Sequence, residues 1–212
     1  MTDETLDVAE TFVSLQGEST YAGMPCFFVR LAGCNLRCRY CDTPQALGTG
    51  RPVAMAEIIT RFMESRAPLA ELTGGEPLLQ PASVRLAEAL AKCGAGVLVE
   101  TNGTIDISGL PDDAIAVMDI KCPGSGAADT TDWQNVERLR REDEVKFVIS
   151  DRTDYEWARD VQARYRLSRR CRAVLFSPVR DRLDPAELGR WILDDRLPVR
   201  LQIQLHKVVG LP

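Results

Sequence analysis

Three cysteines, Cys34, Cys38 and Cys41, share the short run CNLRCRYC, with Tyr40 just before the last of them. The C-x3-C-x2-C spacing puts three soft sulfur ligands on one loop, and such thiolates suit iron–sulfur chemistry. Three thiolates can hold three irons of a 4Fe–4S cluster and leave one iron open to bind and activate a small molecule. A cluster ligated by protein at every iron would serve electron transfer instead. Structural zinc and ordinary redox thiols are the competing uses. Zinc normally takes four ligands, but the only histidine, His206, is remote in sequence and no second C-x2-C pair exists. Cys26, Cys93, Cys122 and Cys171 read as small core residues or spare thiols.

Other residues with chemical content lie at the ends of apolar runs. In Thr73-Gly74-Gly75-Glu76-Pro77 the paired glycines let backbone approach a neighbour closely. Glu100-Thr101-Asn102-Gly103 offers either a capping turn or hydrogen bonds to a polar ligand. Asp119-Ile120-Lys121 sets two charges on one side of a strand end, as an ion pair or as a polar recognition site. Arg30 interrupts an apolar run. A buried guanidinium needs an anion, either a core carboxylate or the carboxylate of a substrate. Gln16-Gly17-Glu18 is by itself an uninformative polar turn. The five arginines between 164 and 172 read as a solvated face or a partner surface. Gln202, Gln204 and His206 precede a short apolar ending at Leu211-Pro212, which could carry the Pro212 carboxylate back into a site.

The elements that must position these residues follow from periodicity. Strands are expected at 26–31, 69–73, 96–101, 116–120, 145–149, 174–176 and 199–205. Helices are expected at 55–66 (Ile58, Ile59, Phe62 and Met63 on one face), 81–93, 132–141, 154–165 and 185–193. Strand and helix alternate, which argues for a parallel sheet with helices outside. The connections are too short for a complete eight-unit barrel. The expected fold is therefore α/β, an incomplete, open β/α barrel of about six parallel strands with outer helices. Residues 1–212 are expected to form a single domain whose C-terminal tail closes on the substrate site. Chemistry should sit at the C-terminal strand ends.

The 212 residues are 45 % hydrophobic and 27 % charged, with a net charge of −5. That balance disfavours extended nucleic-acid binding. The absence of a long apolar run or signal pattern argues for a cytoplasmic chain without membrane contact.

Several stretches together resemble the 7-carboxy-7-deazaguanine synthase family of the radical S-adenosylmethionine (SAM) superfamily. They are Phe-Val-Ser-Leu-Gln-Gly-Glu at 12–18, Phe28 to Leu36, Cys41-Asp42-Thr43, the Thr73 and Glu100 motifs, and the ending Gln204-Leu205-His206-Lys207 through Leu211-Pro212. Ser19 stands where many relatives carry glycine, and Asp119-Ile120-Lys121 where some carry Ser-Pro-Lys. The latter is also similar to glycyl-radical activating enzymes, which act on a partner protein. That activity and a non-catalytic iron–sulfur electron carrier are the alternative readings.

The resemblance implies a lyase of queuosine and 7-deazapurine biosynthesis. It would convert 6-carboxy-5,6,7,8-tetrahydropterin to 7-carboxy-7-deazaguanine with loss of ammonia, using a 4Fe–4S cluster, SAM and Mg2+. Cys34, Cys38 and Cys41 would bind the cluster and Thr43 would bind Mg2+. Tyr40, Cys41, Asp42, Gly75, Asp119, Ile120, Lys121, Ser177, Pro178, Val179 and Arg180 would lie against SAM. Leu15, Gln16, Gly17, Arg30, Thr73, Glu100, His206 and the Pro212 carboxylate would contact substrate, with Arg30 on its carboxylate. No protein residue would be catalytic, because the radical comes from the cofactor. A flavodoxin- or ferredoxin-like electron donor and a homodimer are also implied.

Overall fold

Charged residues interrupt the apolar strands at alternate positions, and this alternation decides which side of the sheet packs and which side lines a cavity. The computed structural model describes residues 4–212. In chain order the elements are β1 (Thr5–Leu15), β2 (Pro25–Leu31), β3 (Arg51–Ala54), α1 (Met55–Ser65), β4 (Leu69–Gly74), α2 (Ala82–Lys92), β5 (Gly96–Thr101) and β6 (Ala114–Asp119). They continue with α3 (Gln134–Arg138), β7 (Glu144–Ile149), α4 (Arg152–Tyr165), α5 (Leu167–Arg170), β8 (Ala173–Pro178), α6 (Pro185–Asp194), β9 (Arg200–Leu201) and α7 (Leu205–Val209).

The strands form one sheet in the order β3-β1-β2-β4-β5-β6-β7-β8-β9. From β2 to β9 every pairing is parallel; β1 pairs antiparallel with both β2 and β3. The result is the open β/α barrel expected from the alternating pattern, extended by an antiparallel flank that the pattern did not reveal.

The outward faces of the parallel strands carry Ala70, Leu72, Val97, Val99 and Ala116, which pack with Ile58, Phe62, Leu86 and Leu90 of α1 and α2. Farther along, Val145, Phe147, Ile149, Val174 and Phe176 pack with Tyr155, Ala158, Leu188 and Ile192 of α4 and α6. Phe147 has no solvent exposure, and truncating such a residue to alanine costs about 3–5 kcal/mol. Helix starts are locally encoded. Asp151 Oδ1 accepts from Asp154 N at 3.0 Å ahead of α4, and Asp184 Oδ1 accepts from Ala186 N at 2.8 Å ahead of α6, as N-caps do.

Three expectations are corrected. On α1 only Ile58 and Phe62 are buried, and Met63 is exposed, because the buried stripe is narrower than the apolar one. The helix expected at 132–141 spans only Gln134–Arg138, because Asp143 Oδ2 accepts from Arg140 N at 2.7 Å and turns the chain. The last strand is only Arg200–Leu201, not 199–205. Gln202 and Gln204 instead turn their side chains onto Glu18, and α7 follows.

Candidate active site

One inward residue after another lines the C-terminal half of the parallel strands. Register pairs Arg30 of β2 with Thr73 of β4, Glu100 of β5 with Val117 of β6, Asp119 with Lys146 of β7, and Val148 with Ser177 of β8. All eight border a single cavity of about 730 Å3, within the roughly 300–1,000 Å3 range of small-molecule sites. The cysteine loop follows β2 and forms one wall, so Cys34, Cys38 and Cys41 border the same space.

Backbone contacts hold that loop against the Gly-Gly turn. Gly75 N donates to Leu31 O at 3.1 Å and Glu76 N to Gly33 O at 2.9 Å. A β-carbon at Gly75 would fall 2.1 Å from Gly33 O and 2.7 Å from Cys34 Cβ, and Gly74 holds φ +146°. The glycines therefore permit backbone to meet backbone at the base of the loop. With its N–H committed, Gly75 keeps a carbonyl that accepts no hydrogen bond among the described residues, which suits the ammonium group of an amino acid. Glu76, fully buried, accepts from Thr101 Oγ1 at 2.9 Å, Asn102 N at 2.6 Å and Leu78 N at 3.0 Å. Its role is to tie the β4 turn to the β5 turn. Asn102 Nδ2 in turn donates to Asn35 Oδ1 at 2.9 Å, bracing the cysteine loop.

The three cysteines are free thiols. Burial pushes the Cys38 thiol up, and the charge of Lys121 opposes it. Among the described residues no three His, Cys, Asp or Glu side chains converge on one ion. That arrangement does not fit a mononuclear zinc site. A cube that gives each thiolate its own iron needs no such convergence. The donor set also fits a cofactor carrying an amino acid and polar hydroxyls. Asp119 Oδ1 is buried without a hydrogen-bond partner among the described residues, while Oδ2 takes Lys121 Nζ at 2.8 Å. Tyr40, Asp42, Ser177, Pro178, Val179 and Arg180 border the same cavity, and Tyr40 is fixed by donating to Val148 O at 3.1 Å. Ile120 does not join them. Side chains alternate, so it turns outward into the core with no exposure, a correction to its expected place against SAM.

β1, β2 and the C-terminal segment also line the cavity, the last tied to the cysteine loop by Lys207 Nζ on Asp42 Oδ2 at 2.6 Å. Arg30 Nε donates to Glu10 Oε1 at 2.7 Å and its guanidinium stands 5.7 Å from the Phe12 ring centroid. Its terminal nitrogens have no acceptor among the described residues, so the fork keeps two donors for an anion in the cavity. The anion on Arg30 is Glu10, a half-exposed carboxylate at the cavity edge rather than a core one, and it takes only one edge of the guanidinium. Thr73 Oγ1 donates to Glu100 Oε2 at 3.0 Å. Gln16 and Gly17 are buried; Leu205 N donates to Gly17 O at 2.9 Å, and burial holds the His206 pKa below its ordinary value. Ser14 Oγ donates to Pro212 O at 2.7 Å, so the end segment borders the cavity together with Leu15 and Thr43.

Sequence reasoning missed the floor. Lys146, 4 % exposed, contacts Glu100 directly, Glu18 Oε2 at 2.7 Å and Asp119 Oδ2 at 3.7 Å. Burial would lower its pKa, but these carboxylates raise it well above the ordinary lysine value. Glu71 also borders the cavity and accepts from Gln16 Nε2. The detectable signal was a charged residue inside each apolar run, at 71 in LAELT and at 146 in EVKFVI. Ser19 holds φ 60°, the left-handed region that glycine enters freely.

Comparisons with known proteins agree with this arrangement. The radical SAM superfamily model matches residues 29–119, which span the cysteine loop, the Gly-Gly turn and β6. A 7-carboxy-7-deazaguanine synthase of Koribacter versatilis (strain Ellin345) is 41 % identical over 98 % of this chain and 98 % of its own. That of Chlorobaculum tepidum is 41 % identical over 100 % of this chain and 97 % of its own. Among solved structures, the crystal structure of QueE from Escherichia coli superposes with a TM-score of 0.79 at 21 % identity, covering 95 % of each chain, a likeness of fold. Near-full-length identity at this level, on a chain whose cysteine loop and strand-end motifs line one cavity, establishes that it belongs to the 7-carboxy-7-deazaguanine synthase family of radical SAM enzymes.

Proposed function

We propose that the chain converts 6-carboxy-5,6,7,8-tetrahydropterin to 7-carboxy-7-deazaguanine, the product its relatives are named for, with release of ammonia. The observation that carries this reading is that the three thiols and the free edge of Arg30 border the same cavity. Cys34, Cys38 and Cys41 would hold the cluster, and Gly75, Asp119 and Lys121, with Tyr40, Asp42, Ser177, Pro178, Val179 and Arg180, would hold SAM beside it. Bound together, cluster and SAM would supply radical chemistry for hydrogen-atom abstraction from the substrate.

The protein's own part is to bind, orient and exclude water. Arg30 receives the substrate carboxylate on its two unpaired terminal nitrogens. Gln16, Thr73, Glu100 and His206 supply polar contacts to the heterocycle, and Leu15 and Gly17 close against it. The C-terminal segment, seated by Ser14 on Pro212 and by Gly17 on Leu205, closes the substrate side of the site. Thr43 is the proposed Mg2+ ligand, its hydroxyl being a hard oxygen donor at the cavity wall.

Three coarser parts of the reading have separate support. The exposed Arg37, Arg39, Arg180 and Arg182 give the cluster side a positive rim suited to an acidic flavodoxin- or ferredoxin-like donor. Leu201, Ile203, Val208 and Val209 are exposed apolar side chains near the C-terminus that a homodimer contact would cover. No helix among the described residues is long and apolar enough to cross a membrane, in keeping with a cytoplasmic enzyme. The test is anaerobic reconstitution followed by incubation with SAM, a reductant and the carboxypterin. Carboxydeazaguanine should form in proportion to enzyme. SAM cleavage that needs a partner protein would favour an activase, and absence of SAM binding an electron carrier.

A further inference from the structure

Six carboxyl side chains border the cavity, and five of them meet a cation. Glu10 has Arg30, Asp42 has Lys207 at 2.6 Å, Glu18 and Glu100 have Lys146, and Asp119 has Lys121. Glu71 is the exception among the described residues. It is 6 % exposed, its Oε2 accepts from the Gln16 side-chain amide, and its Oε1 has no protein partner. A carboxylate buried without a cation is costly, and such a group stays protonated instead.

Glu71 lies two positions before Thr73 on β4, and Glu100 lies two beyond Leu98, the β5 residue paired with Glu71. Both therefore share the inner face, in neighbouring strands, yet their surroundings push them apart. Burial, then the negative charge of Glu100, raises the Glu71 pKa to about 8, with Glu18 adding and the Gln16 hydrogen bond and Lys146 opposing. The Cys26 thiol of β2 also faces it and is held protonated by burial. At Glu100 burial is overcome by the Lys146 charge and hydrogen bond and by Thr73, which together lower its pKa. Of two carboxyl groups separated in this way, the one kept protonated is the one that can act as an acid.

Resting on the reaction proposed above, we propose that Glu71 is the general acid that protonates the departing amine. Making the five-membered ring of the product from the six-membered ring of the pterin passes through a ring-contracted isomer of the substrate, in which a carbon–nitrogen bond breaks and its electron pair leaves on nitrogen. The Glu71 proton passes to that nitrogen, which departs as ammonia. The resulting carboxylate then takes the ring proton whose loss makes the product aromatic, and Glu71 is restored as an acid. Atoms and electrons balance without a further oxidant or reductant.

The test uses the reconstituted holoenzyme of the wild type and of Glu71→Gln, which keeps the shape and removes the acid. The variant should retain its iron content and transfer of deuterium from labelled substrate into 5′-deoxyadenosine. Product formation should fall about 10²–10⁴-fold, with accumulation of a species of unchanged mass that still carries the amine nitrogen. The wild-type rate should decline above pH about 8, and the infrared carbonyl band of a protonated carboxyl at pH 7 should be absent from the variant. Wild-type product formation by Glu71→Gln overturns the proposal, as does equal loss of deuterium transfer and product, which marks a structural role. Should the variant not fold, a wild-type rate that stays flat to pH about 9.5, or lacks the infrared band, overturns it equally. A wild type that cleaves no SAM removes the underlying reaction instead, an outcome distinct from a variant that cleaves SAM but forms no product.

Discussion

His206 packs so closely on Gly17 that a β-carbon at the glycine would fall 1.7 Å from the imidazole Nδ1. The contact joins the loop after β1 to α7, which also receives the Leu205 N to Gly17 O hydrogen bond. Gly17→Ala should therefore unseat α7 while leaving the cysteine loop intact. We expect substrate KM to rise about tenfold or more, the signature of lost binding, with an unchanged cluster spectrum. A KM equal to that of the wild type would show that α7 does not close the site.

Lys146 is the only cation in contact with both Glu18 and Glu100 among the described residues. Lys146→Met keeps the stem and removes the charge, leaving two partly buried carboxylates uncompensated around a buried position. Breaking a buried pair in this way costs about 3–5 kcal/mol. The midpoint of denaturant unfolding at neutral pH should fall accordingly, and adding Glu100→Gln should recover part of the loss. A double variant no more stable than Lys146→Met would contradict the coupling.

Arg30 presents one edge to Glu10 and the other to the cavity. Arg30→Lys preserves charge but loses the planar fork. A lost charge-assisted contact of about 2–3 kcal/mol corresponds to a fall in kcat/KM of roughly 30- to 150-fold. SAM binding should be unaffected. Equal losses in SAM affinity and substrate turnover would place Arg30 elsewhere in the mechanism.

The pKa of His206 is lowered from its ordinary 6.5, first by burial, with Lys207 adding and Glu18 opposing. On acidification the unfolded chain takes up this proton before the folded one. The stabilisation is thus fully present above about pH 6.5 and lost as pH falls through the lowered folded-state value. Unfolding midpoints of wild type and His206→Asn should differ in their decline between pH 7 and about 5, the variant falling less. Parallel declines would show that His206 is not buried in solution.

How much of this was legible depended on whether the partners are close in sequence. Cys34, Cys38 and Cys41 sit on one loop, so their grouping was legible from spacing alone. Arg30 and Asp119 stood out as charges in apolar runs. Glu71 and Lys146 carry the same signal, but each is meaningful only beside residues of other strands, and register is not written in either segment. β1 escaped notice because its burial alternates irregularly, broken by a bulge between Val8 and Glu10. The alternation at 199–205 imitated a strand, yet its glutamines serve Glu18, 186 and 184 positions away. Ile120 was misplaced because its neighbours on both sides face the cavity while the pleat turns it outward.

The central claim is that three thiolates hold a cluster whose remaining iron takes SAM. Electron paramagnetic resonance of the anaerobically reconstituted, reduced protein tests it directly, read with and without SAM, alongside Cys38→Ala. The account predicts a four-iron signal in the wild type that shifts when SAM is added, and no such signal in the variant. A wild-type signal indifferent to SAM, or an unaltered signal in Cys38→Ala, would contradict it.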